Sequence, residues 1–285
     1  MWKFERTMDM LSSKKGYSPY ILVFLTLIIG YIIVGAVIQQ PKVGVIQIDT
    51  SIMGSSTARD IVEMLRYAEK RDDIKAVVLE INSPGGEVTA VEDVYMSVLK
   101  LRKKKPVVAS IGQIGASGAY YIAAGANTIF SKSSSFVGSI GVRSQLPTAE
   151  ELDENTITTG PFKRTGFSRR EYVYGIKQSQ EVFLQVIFLQ RGDKLNIEKE
   201  ELAKAAIYTG LKAYELGLVD TIGSHSDAIE EAANLAGIAN YGIVDINNET
   251  GTTFRDTSFT FVNESSFAPT NTAPVNYYIY MEFEK

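Results

Sequence analysis

A serine within a run of small residues is the strongest candidate nucleophile in this sequence. Residues 112–124 read GQIGASGAYYIAA, which places Ser117 between Ala116 and Gly118. A serine at the start of a helix lies close to backbone N–H groups that have no partner within the helix, and small neighbours leave its hydroxyl open to a substrate. The alternative is a simple N-cap, because serine is a preferred capping residue. The motif alone leaves both interpretations open.

A second glycine-rich turn, NSPGG at residues 82–86, follows another apolar run. Proline fixes one φ angle and lacks an N–H, while paired glycines adopt conformations closed to other residues, so this turn can aim an N–H into a cleft. Such a donor stabilises the oxyanion of an acyl-transfer reaction. An ordinary strand-to-helix turn has the same composition. Two such turns at the ends of neighbouring strands nevertheless favour a site for acyl transfer.

A serine hydroxyl needs an adjacent base, and this chain offers few. It has no cysteine and one histidine, His225, which lies in the polar sequence GSHSD, where a loop or cap position is expected. The remaining option is a lysine whose amine is deprotonated by burial. Most lysines lie in charged stretches, whereas Lys163 follows the rigid turn Gly160-Pro161 and the aromatic Phe162. The residues therefore indicate a serine hydrolase with a lysine base and favour Lys163.

The elements that would position these residues alternate between strands and helices. Strand-like apolar runs span residues 43–48, 74–81 and 107–111. Helical patterns span residues 58–70, 87–100, 168–194, 198–206 and 228–236. This order predicts an α/β fold with a mostly parallel sheet, right-handed crossovers and functional loops at the strand ends. We place the domain at residues 43–245 and expect the polar tail, 246–285, to form weak edge strands or little structure.

An apolar, uncharged run at residues 18–38 has the length that a helix needs to cross a bilayer. Bases are concentrated before this run, at Lys3, Arg6, Lys14 and Lys15, and Lys42 is the only one close behind it. The positive-inside rule then places residues 1–17 in the cytoplasm and the domain outside it, in a single-pass membrane protein. The alternative is a signal peptide cleaved near Gly35-Ala36.

Several motifs together resemble the signal peptide peptidase A (SppA) family of membrane-bound serine peptidases, in its short, single-repeat form. They are NSPGG, GASGAYYIAA, FVGSIGV, GPFK and KAYELGLVDTIG, in the family's order between residues 43 and 236. The resemblance implies the fold of Clp protease and crotonase. It departs from the family in residues 141–163, which are short and polar, and in the Thr- and Asn-rich tail, which has no recognised counterpart.

The resemblance also assigns roles to residues. It implies that Ser117 is the nucleophile, Lys163 its base, and Ser139 of GSIGV the residue that orients the lysine. The oxyanion N–H groups would come from Gly86, with Gly85 as the alternative, and from Ser117 or Gly118. No metal or cofactor is implied. The substrates would be hydrophobic peptides such as remnant signal peptides, and several subunits would form a ring in which neighbouring chains share each serine and lysine pair.

Five other functions fit the sequence less well. A membrane protease acting on stomatin-like partners shares the dyad but has further membrane spans, and Clp protease needs a histidine soon after the serine, which is missing between Ser117 and Lys163. A crotonase-like acyl-CoA enzyme shares the fold but has no need of an anchor. A catalytically inactive peptide-binding scaffold has no need of the serine and lysine. The net charge of -4 gives no support to a nucleic-acid partner.

Overall fold

The computed structural model describes residues 23–28, 40–145, 157, 159–160, 162–163, 165–254 and 276–279. The chain divides into two compact units, residues 1–40 and 41–285. In the first unit, residues 23–28 are helical, and they fall within the predicted anchor at 18–38. The rest of that anchor lies outside the described residues. No helix in the described part of the chain is both long and apolar enough to cross a membrane, so the anchor stays a prediction.

The second unit contains eleven described strands and eight described α-helices. The strands are β1 (Lys42–Ile48), β2 (Ile74–Ser83), β3 (Gly85–Glu87), β4 (Val107–Ala116), β5 (Thr128–Ser131), β6 (Phe136–Gly138), β7 (Arg143–Ser144), β8 (Ile207–Thr209), β9 (Thr221–Ile222), β10 (Gly242–Asp245) and β11 (Asn276–Ile279). The helices are α1 (Gly54–Lys70), α2 (Val88–Arg102), α3 (Gly118–Ala124), α4 (Arg169–Arg191), α5 (Lys199–Leu202), α6 (Gly210–Glu215), α7 (His225–Leu235) and α8 (Ile246–Thr250).

The larger sheet confirms the predicted α/β class. Its described strands run in the order β10-β1-β2-β4-β5-β9, all parallel, while β6 pairs with β4 in parallel and with β8 antiparallel. The three predicted strands correspond to β1, β2 and β4. Both β2 and β4 continue beyond their predicted ends, because Ser83 pairs with Gly115 and residues 114–116 pair with β6. The glycine-rich turn predicted after residue 111 therefore begins later, at Ser117.

Helices cover both faces of this sheet, as the apolar periodicity requires. Helix α1 buries one stripe of residues three or four apart, and α2 does the same on the same face. Helix α7 packs on the opposite face, where Val43 and Val45 of β1 point, whereas Ile46 and Ile48 point toward α1 and α2. The predicted helix at 198–206 is shorter, because the chain turns at Ala205, with φ 56°, and enters β8.

Residues that we assigned to the polar tail also contribute to the structure. Residues 246–250 form α8, and Ile246 is fully buried in the core. Residues 276–279 form β11, which is the middle strand of a second sheet with the order β3-β11-β7. The part of the tail that the structure describes is therefore ordered against the domain rather than separate from it.

A buried ion pair joins the end of α4 to the sheet. The guanidinium of Arg191 donates to both carboxylate oxygens of Asp220, at 2.8 and 2.9 Å, and to the carbonyl of Gly217. Burial alone would raise the pKa of Asp220, but the hydrogen bonds and charge of Arg191 outweigh it and hold this pKa below its ordinary value of 3.8. The pair therefore stabilises the fold above about pH 4, and that contribution declines as the pH falls below it.

Replacing Arg191 by Met should lower the free energy of unfolding at pH 7 by about 3–5 kcal/mol, because the Asp220 carboxylate would be buried without its main partner. Lys194 contacts the same carboxylate at 2.7 Å but is 56% exposed, whereas Arg191 is 4% exposed. Lys194→Met, the matched control, should cost less than about 1 kcal/mol. Urea denaturation of both variants measures their free energies of unfolding. Similar losses for the two variants would show that burial of the cation does not determine how much it stabilises the fold.

Candidate active site

Ser117 occupies the junction between β4 and α3 in an unusual backbone conformation. Its φ is 54° and its ψ is -122°, a region that residues other than glycine rarely adopt. The residue is 1% exposed, and its hydroxyl has no hydrogen-bond partner among the described residues. The hydroxyl does not cap α3, so the structure does not support the simple capping interpretation. A strained backbone and an unpaired buried hydroxyl at one residue are typical of functional sites.

Backbone pairing brings Ser117 and Ser139 to the same end of the sheet. Ala116 of β4 lies opposite Gly138 of β6, and the Ser117 N–H donates to the Gly138 carbonyl at 2.7 Å. Ser139 follows at once, with φ 52°, and its N–H donates to the carbonyl of Ala206 at 2.8 Å. Both serines thus leave paired strands through left-handed conformations. The Ser139 side chain is half-buried.

The NSPGG turn presents the N–H of Gly86 rather than that of Gly85. The Gly85 N–H donates to the Ser83 hydroxyl at 3.2 Å. On one side of β3, the Gly85 carbonyl accepts from Ile52 N–H and the Glu87 N–H donates to the Ile52 carbonyl, at 2.8 and 2.9 Å. Successive residues of a strand point their peptide groups to opposite sides, so the N–H and carbonyl of Gly86 face away from Ile52.

The close approach of Ile52 also explains why residue 86 is glycine. A Cβ atom at this position would lie 1.9 Å from the Ile52 carbonyl oxygen, which is impossible without moving the backbone. The chain can therefore hold β3 this near to Ile52 only when residue 86 lacks a side chain. The same contact fixes the direction in which the Gly86 N–H points.

Ser117 and Gly118 differ in whether their backbone N–H already donates to a residue of the neighbouring strand. The Ser117 N–H is already bonded to Gly138, as described above. Gly118 is the first residue of α3, where backbone N–H groups have no carbonyl partner within the helix. Of the two alternatives left open by the sequence, Gly118 is the one with an N–H that can serve a ligand.

Asn82 links the two turns, a role that we did not predict from the sequence. Its amide donates to the Asp49 carboxylate at 2.8 Å, and its side-chain oxygen accepts the Ile114 N–H at 3.3 Å. These bonds tie the end of β2 to both neighbouring strands. The signal was available in principle, because Asn82 opens the NSPGG motif at a strand end, where an amide side chain commonly pairs with backbone.

Lys163 is exposed within a single chain, whereas a desolvated lysine was expected. Its N–H donates to the Gly160 carbonyl at 3.2 Å in a turn, and its neighbour Phe162 is also exposed. Among the described residues, no hydrogen bond joins the Lys163 amine to Ser117 or Ser139. Much of the segment before Lys163 lies outside the described residues. The structure thus brings together Ser117, Ser139 and the NSPGG turn.

His225 plays no part in this arrangement. It is the first residue of α7, directly after Ser224, the N-cap residue that forms a capping box with Asp227. Its Nε2 lies 3.7 Å from the Glu80 carboxylate. This position beside a helix cap agrees with the expected loop or cap position rather than with a catalytic base.

A parallel α/β sheet that ends in a strained, buried serine beside a glycine turn is the arrangement expected of a serine acyl-transfer enzyme. Comparisons with known proteins identify the family. The model of peptidase family S49 matches residues 100–239. A putative protease of Synechocystis is 34% identical over 206 residues, covering 66% of this chain and 73% of that protein. The chain therefore belongs to peptidase family S49, which confirms the resemblance to SppA.

Two further relatives show the breadth of this similarity. A putative protease of Methanocaldococcus jannaschii is 36% identical over 201 residues, which cover 66% of this chain and 65% of that protein. A putative signal peptide peptidase SppA of Enterococcus faecium is 29% identical over 208 residues, which cover 67% of this chain and 60% of that protein. The chain thus spans less than two thirds of the length of either of these two relatives.

Proposed function

We propose that this protein is a serine endopeptidase in which Ser117 is the nucleophile and Lys163 the general base. The observation that carries the proposal is the buried, unpaired Ser117 hydroxyl in a left-handed backbone conformation at the end of β4. Membership of peptidase family S49 supports peptide hydrolysis over the acyl-transfer chemistry of a crotonase-like acyl-CoA enzyme.

The proposed mechanism begins when the neutral Lys163 amine takes the Ser117 proton and the hydroxyl oxygen attacks a peptide carbonyl. The N–H groups of Gly86, which faces away from Ile52, and of Gly118, at the start of α3, stabilise the resulting oxyanion. Lys163 then passes its proton to the leaving amine. In the second half of the reaction it activates a water molecule, which releases the acyl group from Ser117. Ser139 orients the lysine in this proposal.

Lys163 can act as a base only in its neutral form, and loss of water contacts favours the neutral form of a lysine. Within one chain the residue is exposed. We therefore propose that a neighbouring copy of the chain covers Lys163 and that each serine and lysine pair is shared across that interface. The ring-shaped homo-oligomer implied by the family resemblance fits this requirement.

A peptide fits the space beside Ser117 better than a thioester cofactor does. Strands β3 and β7 both pair with β11, which lies between them. We call the space between β3 and β7 the cleft. A chain segment in the cleft gains backbone hydrogen bonds on both sides, which is how proteins commonly bind extended peptides. We propose hydrophobic peptides, including remnant signal peptides, as substrates and an anchor at residues 18–38 that holds the domain outside the cytoplasm near them.

Reaction with a fluorophosphonate, followed by mass spectrometry of the digested protein, tests the proposal. The phosphonyl group should attach to Ser117, because the probe needs an activated serine and an oxyanion site. The same preparation should cleave an internally quenched hydrophobic peptide and leave an acyl-CoA thioester intact. Labelling at another serine, or thioester cleavage without peptide cleavage, would contradict the assignment.

A further inference from the structure

The cleft beside Ser117 is already occupied by a segment of the same chain. Strand β11 runs antiparallel to β3, with Tyr278 opposite Gly86, and antiparallel to β7, with Tyr277 opposite Arg143. It thus lies between two strands as an extended peptide would. Residues 276–279 lie in the cleft. Residues 255–275, which connect them to the domain, lie outside the described residues.

The pairing pattern shows which backbone groups β11 engages. The peptide groups of Gly86 face away from Ile52, as shown above, and therefore face β11. In an antiparallel ladder, opposite residues whose peptide groups face each other exchange two hydrogen bonds. The Gly86 N–H, the proposed oxyanion donor, is consequently bonded to the Tyr278 carbonyl. The alternation along β11 turns the peptide groups of Tyr277 toward β7 instead.

Strand β11 also lies close to the nucleophile. Its backbone contacts α2 and α3, and α3 begins at the residue after Ser117. A segment that pairs with Gly86 and contacts the first helix beyond Ser117 occupies the place where a substrate would meet both groups. This placement rests on backbone register alone and needs no particular side chain.

We propose that residues 276–279 act as an internal pseudosubstrate, which fills the cleft and competes with peptides for the Gly86 N–H. The proposal rests on the proposed function, since it takes the cleft to be the substrate site. Because the tail is tethered, its effective concentration at the cleft is on the order of millimolar. External peptides must therefore displace it, which raises the apparent KM without changing the chemical step.

Tyr278→Pro in the full-length protein tests the proposal, because proline removes the N–H that pairs with Gly86 and disfavours the ladder. The KM for a quenched hydrophobic peptide should fall about tenfold while kcat stays the same, as expected when a tethered competitor is lost. Thr270→Pro, which places proline in the same tail outside β11, is the control and should leave KM unchanged.

A binding measurement gives an answer that does not depend on catalysis. A fluorescein-labelled NYYIYM peptide, the sequence of residues 276–281, should bind the Ser117→Ala, Tyr278→Pro protein and should bind Ser117→Ala alone at least tenfold more weakly. Equal binding to both proteins would overturn the pseudosubstrate. So would a Tyr278→Pro protein that loses thermal stability with no change in KM or peptide binding, because β11 would then be a structural strand.

The two proposals fail in different ways. If the proposed peptidase function is wrong, neither the parent protein nor Tyr278→Pro cleaves peptides, yet the difference in peptide binding can still appear. If only the pseudosubstrate is wrong, both proteins cleave peptides with the same KM and both lose this activity on Ser117→Ala.

Discussion

Ser117→Ala is expected to abolish peptide hydrolysis while leaving the stability of the protein unchanged or slightly higher. Loss of the nucleophile removes the covalent step, so kcat should fall by about 10⁴-fold or more. Stability should not fall, because the Ser117 hydroxyl is buried without a hydrogen-bond partner among the described residues, and deleting an unsatisfied polar group costs no bond. Initial rates on a quenched peptide and thermal denaturation of the same preparation measure both effects.

Ser131 provides a matched control for this prediction. Like Ser117, it is 1% exposed, and its hydroxyl also lacks a partner among the described residues, but it lies in β5 rather than at the glycine turns. Ser131→Ala should keep full activity. If Ser117→Ala retains more than a few per cent of the parent rate, another residue is the nucleophile. If both variants lose activity equally, the loss reflects packing rather than chemistry.

The parts of this fold that the sequence predicted are those governed by local periodicity. The apolar runs of β1, β2 and β4 and the buried stripes of α1 and α2 follow from residues two to four positions apart. The position of Ser117 after a strand was predicted for the same reason. The SppA resemblance added Ser139, which the residues alone did not identify.

The missed features depend on contacts between distant parts of the chain. The extension of β4 to Ala116 comes from pairing with β6, and the choice of Gly86 over Gly85 comes from the approach of Ile52. Strand β11 depends on β3, which is far away in the sequence. Strand register of this kind leaves little trace in composition, so the Thr- and Asn-rich tail appeared to carry no function.

The exposure of Lys163 also differs from what its neighbours in the sequence predicted. Its surroundings Gly160, Pro161 and Phe162 suggested a protected turn, yet Phe162 is 47% exposed and Lys163 is exposed beside it. In the homo-oligomer that we propose, this turn lies at the interface between neighbouring chains. A second copy of the chain would supply both the missing burial and the desolvation of the amine.

Lys163→Ala should therefore be as inactive as Ser117→Ala, with a loss of kcat of about 10⁴-fold. The control is Lys132→Ala, at another exposed lysine, which should keep full activity. If the pair is shared between chains, mixing the two inactive variants under conditions of subunit exchange should restore about a quarter of the parent rate, because that fraction of interfaces joins an intact serine to an intact lysine. Peptide hydrolysis after mixing measures this. No recovery would place both residues in one chain, and an active Lys163→Ala would show that another group is the base.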